Sequence, residues 1–233
     1  MRTATLYTHE DGIKAYSHLG LRLYDALIVR ALAPHVWGCP PQVFLDHYHR
    51  HLSSNHADVG VGTGYFLDHC AFGTPEPRIA LIDLQPNCLE HAARRLARYR
   101  PEIYVRDAHQ PLLGVRPFDS IALGGILHCL AGDMRRKSAV FDALRHIARP
   151  GATIFGYTLV NDAIGERRSR RLASRCLHRL RVVNFANDSA SDLPQARATP
   201  FVTYTVELIG CFALFAAAVP HVDSIQHTSS GRL

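Results

Sequence analysis

The chain has 233 residues, of which 47% are apolar and 20% charged, and its formal net charge at neutral pH is +6. This length suits one α/β domain with a small addition and leaves little room for two independent domains. No apolar stretch is long enough to span a bilayer, and the N-terminus lacks the apolar segment of a secretory signal. We therefore expect an intracellular, cytoplasmic protein with no membrane span.

Cysteine and histidine give no sign of a metal site. The six cysteines stand singly along the chain, and no C-x-x-C pair occurs, so neither a zinc ribbon nor a redox pair is expected. His47, His49 and His51 alternate along the sequence, which is more typical of a polar helix or loop face than of a ligand set. We predict no bound metal.

Residues 1–52 are predicted to form a helical cap. Apolar residues recur at helical spacing over Ala15–Pro34 and again over Val43–Leu52. The two segments are separated at Trp37–Pro41, because consecutive prolines stop a helix. We expect this cap to pack over one edge of a sheet and to belong to the same domain as that sheet.

A glycine-rich turn follows the cap. His56–Val61 has the composition of a short buried strand, glycines stand at positions 60, 62 and 64, and a helix is predicted over Tyr65–Cys70. A strand, a glycine turn and a helix N-terminus together form a nucleotide-binding crevice, because free N–H groups point at whatever binds there. The spacing D-x-G-x-G-x-G differs from the dinucleotide fingerprint G-x-G-x-x-G.

Each of the next strands is followed or opened by an acidic residue. Ile79–Leu84 contains Asp83 near its end, about 20 residues after the glycines, where a carboxylate accepts hydrogen bonds from ribose hydroxyls. Ile103–Arg106 is followed by Asp107. Further elements are predicted as a helix over Pro86–Tyr99, a strand over Ser120–Gly124 opened by Phe118-Asp119, a helix over Met134–Ala148 ended by Arg149-Pro150-Gly151, and a strand over Ala152–Tyr157.

These four markers, which occur in order between residues 56 and 160, resemble the motifs of class I S-adenosylmethionine (SAM)-dependent methyltransferases. The resemblance implies an α/β Rossmann-like fold, with a seven-stranded, mostly parallel sheet and helices on both faces. It also implies that the last strand is antiparallel, which fits a closing hairpin over Phe201–Leu208 and Cys211–Val219. We expect residues 53–220 to form the SAM-binding domain and residues 221–233 to be a flexible tail.

The resemblance also implies a set of cofactor contacts, with S-adenosylhomocysteine (SAH) as the product. Asp83 is expected to bind the ribose, although a helix-capping carboxylate is the alternative at that position. Asp58 is expected to order the turn or to meet the amino group of SAM. The remaining expected contacts are Gly60, Gly62 and Gly64 in the turn, Leu84 against the adenine, Asp107 and Ala108 at the adenine edge, and Leu123 and Gly124 along the same crevice.

The acceptor site is less evident in the sequence. His128 follows the fourth strand, where it is a candidate general base because a free imidazole has a pKa near neutrality. The alternative is a structural histidine whose nitrogens are satisfied by the backbone. By resemblance to small methyltransferases the candidate substrate contacts are Tyr16, Tyr24 and Trp37 in the cap and Tyr157 after the fifth strand, although core packing explains each of them equally well.

The pattern as a whole predicts a methyltransferase that acts on a small, partly hydrophobic metabolite. Oxygen, nitrogen and carbon acceptors remain open, as do a monomer and a homodimer. One alternative is a protein of this fold that binds SAM without methyl transfer, as a cyclase or scaffold. A weaker alternative is an RNA or protein methyltransferase, suggested by an arginine-rich predicted helix that we interpret as a solvated face and that contains Arg167, Arg168, Arg170, Arg171, Arg175, Arg179 and Arg181.

Overall fold

The structure is a computed structural model, and it describes residues 17–195 and 203–220. Its strands are β1 (Asn55–Val59), β2 (Arg78–Asp83), β3 (Glu102–Val105), β4 (Phe118–Gly124), β5 (Ala148–Leu159), β6 (Thr203–Ile209) and β7 (Phe212–Ala218). They form one sheet in the order β3-β2-β1-β4-β5-β7-β6. The first five strands are parallel, and β7 lies antiparallel between β5 and β6. The predicted Rossmann-like fold and its closing hairpin are confirmed.

Short helices connect the strands. The α-helices are α1 (His18–Tyr24), α2 (Ala33–His35), α3 (Pro41–His51), α4 (Tyr65–Asp68), α5 (Pro86–Arg95), α6 (Met134–Lys137), α7 (Ala139–Arg145), α8 (Arg168–Arg179) and α9 (Asp192–Gln195). A π-helical segment spans Asp25–Leu32, and single 3-10 turns occur at Ala97–Tyr99 and Leu127–Cys129. Within residues 17–195 and 203–220, no helix combines the length and the apolar character needed to cross a membrane.

The two faces of the sheet carry separate layers of core. Along β2, Ile79 and Leu81 are buried on one face, whereas Ala80 and Ile82 are buried on the other. This alternation follows from the period of two in a strand, and both sets are apolar because helices cover both faces. Side chains of α3, α4 and α5 complete the first layer, and those of α6, α7 and α9 complete the second.

The cap is less regular than its sequence pattern predicts. The described part of Ala15–Pro34 is helical, as its spacing predicts, but α1 gives way to a π-helical segment at Asp25 before α2 begins. A π-helical turn holds more residues than an α-helical turn and is often found at functional sites. The second cap helix, α3, buries Phe44 and Tyr48 against the first face of the sheet.

The predicted single helix over Met134–Ala148 is also wrong. The structure has two helices, α6 and α7, which are separated at Ser138. The Ser138 hydroxyl donates a hydrogen bond to the carbonyl of Arg135 at 2.5 Å, and such a local side-chain bond competes with the helical backbone pattern.

The fifth strand begins four residues earlier than predicted. Arg149–Gly151 was expected to form the turn before it, but these residues belong to β5. The amide of Gly151 donates a hydrogen bond to the carbonyl of Val219 at 3.1 Å, so the neighbouring antiparallel strand extends the ladder through this segment.

Candidate active site

A cavity of about 600 Å³ opens at the carboxyl ends of the parallel strands, beneath the cap. Open α/β sheets bind ligands at this edge, because loops diverge there and leave a crevice. One end of the cavity, here called the glycine end, is lined by Gly60, Gly62, Gly64, Asp83, Leu84, Asp107 and Ala108. The other, here called the aromatic end, is lined by Tyr24, Trp37, Phe44, His128, Tyr157 and Phe212. The glycine end and the aromatic end therefore belong to the same cavity.

The glycine turn is shaped by backbone angles that only glycine adopts easily. Gly60, Gly62 and Gly64 have φ angles of 73°, 54° and 71°. At Gly60 a side chain is also excluded by packing, because an added Cβ atom would lie 2.7 Å from the Cβ of Ile126. The Gly60 amide donates to the carbonyl of Ile82 at 2.8 Å, which fixes the turn against the end of β2.

One carboxylate oxygen of Asp83 accepts a short hydrogen bond, and the other accepts only a weak one. Oδ1 accepts a hydrogen bond from the amide of Gln85 at 2.8 Å, immediately before α5, as a capping carboxylate does. Oδ2 accepts a long hydrogen bond of 3.5 Å from the amide of Gly62. Burial raises the pKa of this carboxyl, and the backbone hydrogen bonds partly oppose the shift. Oδ2 therefore retains the capacity to accept hydrogen bonds from a ligand.

Asp58, in β1, is a buried carboxyl without a cationic partner among the described residues. Its Oδ2 accepts a hydrogen bond from the hydroxyl of Tyr48 at 3.3 Å. Burial, with a smaller contribution from the charge of Asp83, raises its pKa to about 7 against the lowering effect of that hydrogen bond. A cationic ligand group near Asp58 would supply the missing countercharge. The glycine end thus fits a ligand that carries both hydroxyls and positive charge.

Asp107 lies at the outer part of the glycine end, just after β3. Its Oδ1 accepts a hydrogen bond from the amide of His109 at 2.9 Å and lies 3.2 Å from the Nδ1 of the same residue. Ala108 is buried beside it, and Leu84 lines the same cavity.

The predicted position of Leu123 needs correction. Gly124 lines the cavity, but Leu123 does not, because its side chain is fully buried in the core layer on the other face of the sheet. Neighbouring strand residues point to opposite faces, and Leu123 is on the face that packs into the second core layer.

At the aromatic end, Tyr24 of α1, Trp37 of the turn after α2 and Tyr157 of β5 line the same cavity. The ring of Phe44 packs against that of Tyr157 with 4.3 Å between their centroids. Tyr16, the fourth predicted contact, lies outside the described residues. Apolar surface therefore dominates this end of the cavity.

Comparison with known proteins identifies the family. Residues 57–154 match a family model described as a methyltransferase domain. Over 208 residues the chain is 32% identical to the demethylluteothin O-methyltransferase of Streptomyces thioluteus, an alignment that covers 89% of this chain and 90% of the relative. The chain belongs to the class I SAM-dependent methyltransferases.

Two further comparisons agree with this assignment. The O-methyltransferase of the physcion biosynthesis cluster of Aspergillus chevalieri is 29% identical over 91% of this chain and 96% of its own length. The structure of the DhpI–SAH complex shares the fold of this methyltransferase, with a TM-score of 0.66 at 18% identity, over 95% of this chain and 100% of that chain.

Several residues of the methyltransferase cavity were not selected from the sequence. Tyr48 was assigned only to the apolar face of a cap helix, yet its hydroxyl occupies the space that a Cβ atom on Gly124 would fill. Thr63 stands between two of the glycines, and its hydroxyl donates to Asp25 at 2.6 Å. Asp25 also accepts a hydrogen bond from Arg95 at 2.6 Å, so the cap is tied to the glycine turn and to α5. Of these residues, only Thr63 could have been selected from the sequence, because it lies inside the glycine motif.

A buried ion pair supports the wall behind His128. Lys137 is fully buried, and its ammonium group donates to Asp188 and to the carbonyl of Asn184. The amide of Asn184 in turn donates to the carbonyl of His128 at 2.6 Å, and its side chain donates to the carbonyl of Leu130 at 3.1 Å. Burial lowers the pKa of Lys137 and raises that of Asp188, and their mutual attraction opposes both shifts.

The described residues contain no group of three or more histidine, cysteine or acidic side chains placed to hold a metal ion. All six cysteines are free thiols, and Cys39, Cys70, Cys88 and Cys211 are buried. Two arginines also line the cavity, Arg106 next to Asp107 and Arg181 at the rim.

Proposed function

We propose that this methyltransferase transfers the methyl group of SAM to a hydroxyl oxygen of a small, partly apolar metabolite. One observation carries the proposal: a single cavity joins a glycine turn with three acidic residues to an aromatic, mainly apolar chamber. Such a cavity holds a polar nucleoside and an apolar acceptor side by side. Methyl transfer requires this arrangement, because the reacting atoms must be aligned for in-line displacement.

The residues of the glycine end fit SAM. Asp83 would accept hydrogen bonds from the ribose through its weakly engaged Oδ2. Asp58 would balance the amino group, and Asp107 and Ala108 would meet the adenine edge with Leu84 against its face. SAM supplies an activated methyl group on a sulfonium, so the protein has only to bind, align and desolvate the reactants. The cationic cofactor also explains why three carboxyls line one crevice.

The aromatic end is the proposed acceptor site. Tyr24, Trp37 and Tyr157 offer flat apolar surface with a few polar atoms, which suits a planar or polyunsaturated metabolite. Oxygen is the proposed methyl acceptor because the relatives at 32% and 29% identity are named O-methyltransferases.

The features of the arginine-rich helix support its interpretation as a solvent-exposed face and not as a nucleic-acid-binding surface. α8 has no buried residue, yet Arg170 turns inward and donates to the carbonyl of Val36 at 3.0 Å, which ties the helix to the cap. The exposed arginines have no interleaved aromatic side chains that could stack on bases. A nucleic-acid partner is therefore not part of the proposal.

We also propose that residues 1–52 act as a cap within the same domain, and that the protein works in the cytoplasm as a monomer or homodimer. The cap proposal is supported by Phe44 and Tyr48, which share one core layer with the sheet. The free thiols are in keeping with a reducing compartment.

Methyl transfer is tested by incubating the protein with methyl-labelled SAM and an extract of candidate phenolic and enolic metabolites. We expect the label to appear in a small molecule as a methyl ether. Tight SAM binding without transfer to any acceptor would support the scaffold alternative instead. Label in RNA or protein, with binding that weakens steeply as salt rises, would support the macromolecular alternative.

A further inference from the structure

The polar atoms of the aromatic end converge on the end of β4. An added Cβ atom on Gly125 would lie 3.3 Å from Cε1 of His128 and 3.3 Å from Cε2 of Tyr157. The two rings therefore flank the same small residue, and both line the cavity with Tyr24.

The backbone fixes the tautomer of His128. The amide of Leu159 points at its Nδ1 at 3.2 Å, and an amide N–H can only donate. Nδ1 must therefore present its lone pair, and the neutral ring carries its proton on Nε2. Nε2 makes no hydrogen bond to any residue of the described ranges, and it is not among the sealed, unpartnered polar atoms of the interior. It is a donor that opens onto the cavity.

Tyr24 and Tyr157 also present hydrogen-bond donors to the cavity. Within residues 17–195 and 203–220, the hydroxyls of Tyr24 and Tyr157 have no hydrogen-bond partner, and neither is sealed from the cavity. Burial raises the pKa of both, so both keep their protons over the whole physiological range. Three unpartnered N–H or O–H groups thus line one apolar chamber.

The charges around His128 oppose its protonation. Burial, together with the nearby ammonium of Lys137, lowers the pKa of its ring to about 3. Asp188 is already paired with Lys137, and Cys129 directs its thiol to the carbonyl of Gly125 at 3.6 Å. A ring that holds so weakly to a second proton is a poor general base.

We propose that His128 is a hydrogen-bond donor to the methyl acceptor and not its base, and that the acceptor is an acidic enol or phenol that binds as its oxyanion. The inference rests on the proposed methyl transfer and names the substrate class for the same site. Donors in an apolar, water-excluded chamber stabilise a negative oxygen far better than a neutral hydroxyl. Arg181 at the rim adds a permanent positive charge.

The reaction balances without a base in the site. The acceptor loses its proton to solvent before it binds, its oxyanion forms the new C–O bond to the methyl carbon, and the C–S electron pair returns to sulfur as the sulfonium becomes the thioether of SAH. His128, Tyr24 and Tyr157 keep their protons throughout and act by orienting the oxygen.

A binding experiment tests the donors separately from methyl transfer. 4-Nitrophenol is titrated with pH in the presence of the protein and SAH, and the phenol and phenolate are distinguished by their absorbance. We expect the bound probe to ionise at least about one pH unit below the free probe, which corresponds to about a tenfold preference for the anion. A bound probe that ionises at its free pKa, or that binds only as the neutral phenol, overturns the proposal.

Two substitutions separate a donor from a base. His128→Gln retains an acceptor for the Leu159 amide and a donor toward the cavity but has no basic nitrogen, whereas His128→Phe has neither. We expect His128→Gln to keep the shift of 4-nitrophenol and His128→Phe to lose most of it, with SAH affinity unchanged in both. Equal loss in both variants overturns the donor role. Absence of methyl transfer to every acceptor, with the probe shift intact, would instead contradict the proposed function.

Discussion

The two ends of the cavity are built in different ways. At the glycine end, the functional groups follow strands that are consecutive in the chain, between Asp58 and Ala108, and backbone turns hold them. At the aromatic end, side chains from residues as distant as Tyr24 and Phe212 meet only because the sheet order brings β4, β5 and β7 together under the cap. The first end depends on local conformation, and the second depends on the complete tertiary fold.

The largest expected effect is a loss of folding stability when the buried ion pair behind the aromatic end is broken. Lys137→Met removes the cation of a fully buried ion pair and leaves Asp188 charged and unpaired. We expect the free energy of unfolding to fall by about 3–5 kcal/mol, because an uncompensated buried charge is costly. Urea denaturation measures the change.

The matched control is Arg149→Met, which breaks the exposed pair with Asp119 and should cost at most about 1 kcal/mol. The double variant Lys137→Met/Asp188→Leu removes both charges and should recover much of the lost stability. If Lys137→Met costs no more than Arg149→Met, the buried pair does not support this wall.

The next effect concerns the glycine end alone. Asp83→Ala removes the carboxylate proposed to bind the ribose, and SAM affinity measured by calorimetry should weaken by about 1–3 kcal/mol. The control is Asp119→Ala, an exposed acid at the opposite edge of the sheet, at the start of β4. Unchanged SAM affinity in Asp83→Ala would refute the ribose assignment.

The smallest effect concerns the contact between the two ends, where Tyr48 of the cap donates to Asp58 of β1. The pKa of Asp58 is raised to about 7, and SAM would bind its ionised form, so SAM affinity should rise with pH up to about 7 and then level off. Tyr48→Phe removes a hydrogen bond that lowers this pKa, so the plateau should begin at higher pH.

We expect Tyr48→Phe to weaken SAM binding by about 0.5–1.5 kcal/mol at pH 7, as calorimetry at several pH values would detect. Tyr99→Phe serves as the matched control, since Tyr99 lies in a 3-10 turn outside the cavity. An identical pH profile in both variants would show that the Tyr48 hydroxyl does not lower the pKa of Asp58.

The same asymmetry explains what could be predicted from the sequence. Gly60, Asp83 and Asp107 could be selected because each lies at or just after the end of its strand, and parallel strands place their carboxyl ends at one edge. Leu123 was misplaced because the motif locates the end of β4 but does not say which residue faces the crevice. The orientation of a side chain on a strand requires its neighbours, not only its position.

The aromatic end could be predicted only in outline. The break between α6 and α7 accompanies the burial of Lys137, whose partner Asp188 lies 51 residues further along the chain. No local pattern reveals such a pair, since lysine is normally exposed. The proton position on His128 likewise depends on the Leu159 amide, which only the fold brings within reach.

The carboxylate of Asp25 has a consequence for how the two substrates influence each other. It follows Tyr24 directly in the chain, and it receives hydrogen bonds from Thr63 in the glycine turn and from Arg95 in α5. A ligand that fixes Thr63 thereby restrains the backbone that carries Tyr24, and the reverse holds equally. Cofactor and acceptor affinities are therefore reciprocal quantities, each measurable as a shift in the other.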